Sequence, residues 1–164
     1  MKPIKYFLII TLLPILSCNE NIIQPDEQFV NILFKYNFRN ELNTFNNTYQ
    51  KDLVLDGVIK IDFWLSTDEQ NQILEKANQY NFFSLPDSIL ADAPVQITPN
   101  PGQFLRIKTD AEDHSILWNI ILEEFQSEQY VDFLKVVQLA EFIRSIVESK
   151  PEYKKLPPAN GGYD

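Results

Sequence analysis

A chain of 164 residues, 45% hydrophobic and 13% aromatic, carries enough core-forming side chains to argue against disorder, and its length suits one domain. A net charge of −9 weighs against nucleic acid, whose phosphates call for a basic surface. Cys18 is the only cysteine, so internal disulfides are excluded and Cys-based zinc sites are not expected.

Lys2 and Lys5 precede an apolar run, Tyr6 to Leu16, interrupted only by Thr11 and Pro14. The run is shorter than the ~20 residues of a membrane-spanning helix and has the form of a secretory signal. It ends in Ile15-Leu16-Ser17-Cys18, which resembles the lipobox of bacterial lipoproteins. That resemblance implies cleavage before Cys18, a diacylglyceryl group on its thiol, and a protein anchored by lipid in the cell envelope, facing outside the cytoplasm. Two acyl chains hold stably where one does not. Residues 1–17 carry two lysines and no acid, so their loss takes the net charge from −9 to −11. Anionic lipid would then repel the domain, leaving it to stand off on a tether formed by residues 18–27.

Phe29 to Phe38 alternates, with Val30, Ile32, Phe34, Tyr36 and Phe38 on one face, and reads as a strand. Arg39 to Thr44 reads as a polar turn. Phe45 to Leu55 reads as a polar edge strand. Asp56-Gly57 is a hairpin turn, and Val58 to Leu65 is the next strand, with Ile59, Ile61, Phe63 and Leu65 inward and Lys60, Asp62 and Trp64 outward. Ser66 and Glu69 form a capping box that opens a helix running to about Asn81. Residues 86–102, with four prolines, form a long connection that covers the core edge through Ile89, Leu90 and Val95. Gln103–Thr109 and Ser115–Ile121 make a hairpin around Asp110 to Asp113. Gln129–Ser149 is the longest helix, with Val136, Leu139, Ala140, Ile143, Ile146 and Val147 on its apolar stripe.

This order, βββ-α-ββ-α, predicts an α+β fold: an antiparallel sheet of about five strands with two helices on one face. The expected divisions are a signal peptide at 1–17, a tether at 18–27, one domain at 28–150 and an irregular tail at 151–164. Two stretches, Asn40-Glu41-Leu42-Asn43-Thr44-Phe45 with Thr48-Tyr49-Gln50-Lys51-Asp52-Leu53, and Glu152-Tyr153-Lys154-Lys155-Leu156-Pro157 with Gly161-Gly162-Tyr163, resemble a family of small bacterial lipoproteins of unknown function. The resemblance spans most of the mature chain and implies no catalytic residues.

The residues themselves point to no cofactor and no catalytic constellation. His114 is the sole histidine and reads as an exposed turn residue beside Asp113 and Ser115, a poor basis for a serine–histidine–aspartate triad. Asp110, Glu112 and Asp113, with Glu123 and Glu124, offer hard oxygen atoms but lack the glycine and distal glutamate of a calcium loop. The four glycines form no phosphate-cradling pattern. Two features suit binding: an outward Trp64 near Lys60, and the polar segment Asn40–Asp52 with Asn43, Asn47, Tyr49 and Lys51. The expected function is therefore a lipid-anchored, non-catalytic binding module engaging a protein or envelope polymer. The alternatives are an inhibitor or immunity lipoprotein against a basic toxin or wall hydrolase, and a carboxylate-based glycan hydrolase.

Overall fold

The structure, a computed structural model, describes residues 29–90, 102–119 and 128–163. Among these residues the fold is α+β, with one mixed sheet of seven strands and three helices. In chain order these are β1 (Asn31–Tyr36), β2 (Asn40–Asn43), β3 (Thr48–Val54), β4 (Gly57–Asp62), α1 (Thr67–Gln79), β5 (Ser88–Ile89), β6 (Gln103–Lys108), β7 (Asp113–Trp118), α2 (Glu128–Ser149) and α3 (Pro151–Lys154). Across the sheet the order is β4-β3-β2-β1-β6-β7-β5. Neighbours are antiparallel except β5, which lies parallel to β7. The expected signal, tether and Cys18 lie outside the described residues.

Two strands more than expected are present. Residues 39–44 are not a turn: Asn40–Asn43 is β2, paired with both β1 and β3. The expected polar edge strand is therefore an interior hairpin arm, with the edge formed by β4. The true turn spans 44–47. Its Asn47 adopts the left-handed conformation (φ 52°) that asparagine tolerates, and its carbonyl accepts the Phe63 amide at 2.8 Å. Thr44 is buried, and its hydroxyl accepts the Ile32 amide at 2.7 Å. β2 places only Leu42 in the core, so it offers no alternation to read. The seventh strand, β5, is two residues of the proline-rich connection. Its Ile89 is buried as expected, Leu90 is exposed, and Val95 lies outside the described residues.

Registered pairing aligns one apolar row across six strands: Ile61, Tyr49, Leu42, Phe34, Leu105 and Ile116. Ile73, Leu74 and Ala77 of α1 and Val136, Leu139, Ala140, Ile143 and Val147 of α2 join the same core cluster. Trp118 is fully buried. Burial of each such large side chain contributes roughly 1.5–3 kcal/mol. The capping box is present: Ser66 Oγ accepts the Glu69 amide, and Glu69 accepts the Ser66 amide at 2.7 Å. Glu69 also receives Lys150 Nζ at 2.8 Å, which ties the start of α1 to the joint between α2 and α3. Burial raises the Glu69 carboxyl, but the Lys150 ammonium and the Ser66 amide outweigh it and hold the pKa below the usual range.

The Tyr36 and Tyr49 hydroxyls meet at 2.8 Å inside this core. Burial pushes both phenols far up, so both stay neutral across the physiological range. Each hydroxyl satisfies the other, so removing one orphans its partner. Tyr49→Phe alone is expected to cost about 1–3 kcal/mol in denaturant unfolding. The double change Tyr36→Phe with Tyr49→Phe is expected to recover most of that loss; additive losses would contradict the pairing.

Candidate functional site

Both helices draw on one face of the sheet, and no described helix packs on the other. Among the described residues, the alternate residues of each strand therefore form an open face. Two rows cross it. One runs Lys60, Gln50, Glu41, Lys35, Phe104 and Leu117; the next runs Asp62, Thr48, Asn43, Leu33, Arg106 and Ser115. Leu117 is 38% exposed, Phe45 at the adjoining turn 38%, and Trp64, just past β4, 57%. The Arg106 guanidinium lies 5.3 Å from the Phe45 ring centre and forms a two-pronged pair with Asp113 at 2.6 and 2.7 Å. The Arg106 side chain is the largest influence holding the Asp113 carboxyl below its usual pKa. Lys35 pairs with Glu41 at 3.5 Å. Lys60 and Asp62 form no ion pair among the described residues.

The structure separates the binding residues expected from sequence. Lys60 and Asn43 stand on the open face, and exposed Trp64 continues the alternation of β4. Asn43 is committed to local geometry, since its Oδ1 accepts the Asn46 amide and its Nδ2 donates to Glu41. Asn47 serves the turn. Tyr49 points to the opposite face and has no accessible surface, so its expected ligand role gives way to a core role. Lys51 also faces that side, where its ammonium donates to the Pro157 carbonyl at 2.8 Å and sits 4.9 Å above the Tyr153 ring. Tyr49, Lys51 and Leu53 of β3 serve the core and the tail; Thr48 and Gln50 reach the open face, whereas Asp52 is buried beneath the tail.

The tail, expected to be irregular, docks against the sheet. β2 is too short to cover all of β3, and Asn160 takes over the uncovered edge: its amide donates to the Leu53 carbonyl, and its carbonyl accepts the Leu55 amide. A Cβ on Gly161 would come within 2.9 Å of Leu55, so this close approach requires glycine. Tyr163 then stacks on Phe38 at 4.1 Å, donates its hydroxyl to buried Asp52, and accepts from Arg39 at 2.8 Å. Phe38 (φ 68°) and Val54 (φ 64°) are both left-handed, a strained conformation for bulky and β-branched side chains. Tyr163 covers Phe38. Asp52 accepts the Val54 amide, and Arg39 donates to the Val54 carbonyl.

His114 is not a turn residue. It lies within β7 opposite Ile107, with its side chain 16% exposed, its ring 5.3 Å from that of Phe82, and Nδ1 3.7 Å from Asp87. Its Nε2 is buried, with no hydrogen-bond partner among the described residues. Ser115 faces the opposite side, so no triad assembles there. Among the described residues, no group of three or more His, Cys, Asp or Glu is placed to hold a metal ion; Glu123 and Glu124 lie outside them. One shallow cleft between β1, β6 and α2 contains a single carboxylate, Glu141, paired with Arg144 at 3.6 Å. No described helix is long and apolar enough to cross a membrane. Comparison with protein-family models, curated proteins and solved structures returns no match.

Burial raises the Asp52 carboxyl, but hydrogen bonds from Tyr163, the Val54 amide and Arg39 prevail and lower its pKa. The tail contact is therefore at full strength above the ordinary aspartate value of about 3.8 and weakens as pH falls below it, through the lower folded value. The protection factor of the Leu55 amide, its exchange rate relative to the intrinsic rate at each pH, is expected to fall in that acid range, and a protection factor unchanged by acid would contradict the assignment. Tyr163→Ala is expected to lower stability by about 2 kcal/mol at neutral pH, measured by denaturant unfolding.

Proposed function

We propose that this chain is a lipid-anchored, non-catalytic binding module of the cell envelope, which engages a protein or envelope polymer through the open sheet face. The observation supporting the reading is that face itself. Its partly exposed Leu117, Phe45 and Trp64 stand among hydrogen-bonding and charged side chains, the composition of a docking surface rather than of a plain solvated sheet. The lipobox resemblance of Ile15-Leu16-Ser17-Cys18 supports the anchor, with Cys18 as its acylated residue.

The open face is close to charge balance. Lys35, Lys60, Arg106 and Lys108 stand beside Glu41, Asp62 and Asp113. The excess negative charge of the chain therefore lies elsewhere, and a basic toxin would find little complement on this face. A glycan hydrolase needs two opposed carboxylates, and the cleft beside α2 offers one, already paired.

Photo-crosslinking tests the proposal. A photoreactive residue at Lys35 or Phe104, mid-sheet on the open face, is expected to trap an adduct in intact envelopes. The same residue at Glu75 or Gln138, on the helix side, is expected to trap none. Adducts only from the helix positions, or from no position, would reject the open face as the binding surface.

A further inference from the structure

The two edges of the sheet are unequal. β5 is a two-residue edge, whereas β4 is six residues long, contains no proline and has no described neighbour on its outer side. The hydrogen-bond phase of β4 follows from the Phe63 amide, which donates to the Asn47 carbonyl. Odd-numbered residues of β4 thus direct their backbone groups at β3, and Val58, Lys60 and Asp62 direct theirs outward. The same three residues carry exposed side chains on the open face, and Trp64 follows them in the alternation.

We propose that β4 pairs antiparallel with β4 of a second copy of this chain, about a two-fold axis through Ile61, to make one continuous sheet. In that register every outward-facing pair is complementary. Lys60 lies opposite Asp62 of the second copy, and Asp62 opposite its Lys60. Val58, 44% exposed, lies opposite Trp64, 57% exposed, on both sides of the axis. Half-buried Ile59 and Ile61 become covered on the helix side. Among the described residues neither Lys60 nor Asp62 has an ion-pair partner, so the pairing breaks no ion pair among them. Moving the axis to Lys60 would set lysine against lysine, and moving it to Asp62 would set aspartate against aspartate. Charge therefore selects one register. An edge lysine alone blunts indiscriminate strand pairing. A lysine and an aspartate two residues apart on a symmetric edge do more, because they repel shifted registers and accept the aligned one.

The pairing shares Trp64 with the proposed open-face surface, but Lys35 and Phe104 lie on β1 and β6, away from this edge, so crosslinks there and the mass of the dimer report on the two proposals separately. The test is the mass of the full chain, solubilised from membranes, by native mass spectrometry across a concentration series. The unaltered chain is expected as a dimer. Lys60→Asp and Asp62→Lys, each of which sets like charges face to face twice, are expected to weaken it about tenfold or more. The double swap Lys60→Asp with Asp62→Lys restores opposite charges and is expected to recover the dimer. Both positions are exposed, so thermal unfolding of the variants separates lost pairing from lost folding. A chain that stays monomeric, single reversals that leave the dimer intact, or a double swap that fails to rescue although folded would each overturn the proposal.

Discussion

Packing of α1 and α2 against the same face of the sheet is the constraint on which the rest depends. The apolar row from Ile61 to Ile116 buries itself against the helices, which commits the intervening residues of six strands to the other side. Because side chains alternate with period two, a one-residue slip in any strand would expose the row and bury the charges. The Tyr36–Tyr49 hydroxyl pair adds a polar check to this register, since both phenols must meet in a dry core. The open face is thus a consequence of one-sided burial, and its mixture of aromatics and charges is what the core left over.

The docked tail resolves a second problem created by the same sheet. A four-residue β2 cannot shield a seven-residue β3, and the exposed remainder bends at a bulge near Val54. Asn160 supplies the missing backbone partner, and Tyr163 covers the left-handed Phe38. Strain in two residues is thereby balanced by contacts from a segment more than a hundred residues away in sequence. Arg39, Asp52 and Tyr163 form one network, so the tail acts with the turns it touches rather than as a separate appendage.

The capping box, the long apolar stripe of α2 and the alternation of β1, β4 and β6 are legible in the sequence because each follows from a local period or a local cap. β2 is not, because one buried leucine in four residues makes no period. Asn46-Asn47 carried the turn signal that the aromatic run around it obscured. The place of His114 in β7 is not legible, because it is set by pairing with β6, which no neighbouring residue reveals. Among the binding candidates, Trp64 and Lys60 were correctly read as outward-facing from phase alone. Tyr49 and Lys51 were read as polar surface, when cross-strand neighbours and a distant tail decide their environment. Long-range contacts, above all those of Asn160 and Tyr163, leave no trace in spacing.

The proposed binding role requires the open face to be covered in the envelope. Hydroxyl-radical footprinting of Phe45, Phe104 and Leu117 compares the purified chain with the same chain in intact cells. These side chains are expected to be oxidised in the purified protein and protected in the envelope, while exposed Val131 on α2 reacts equally in both. Equal oxidation of the three in both settings would contradict the central claim.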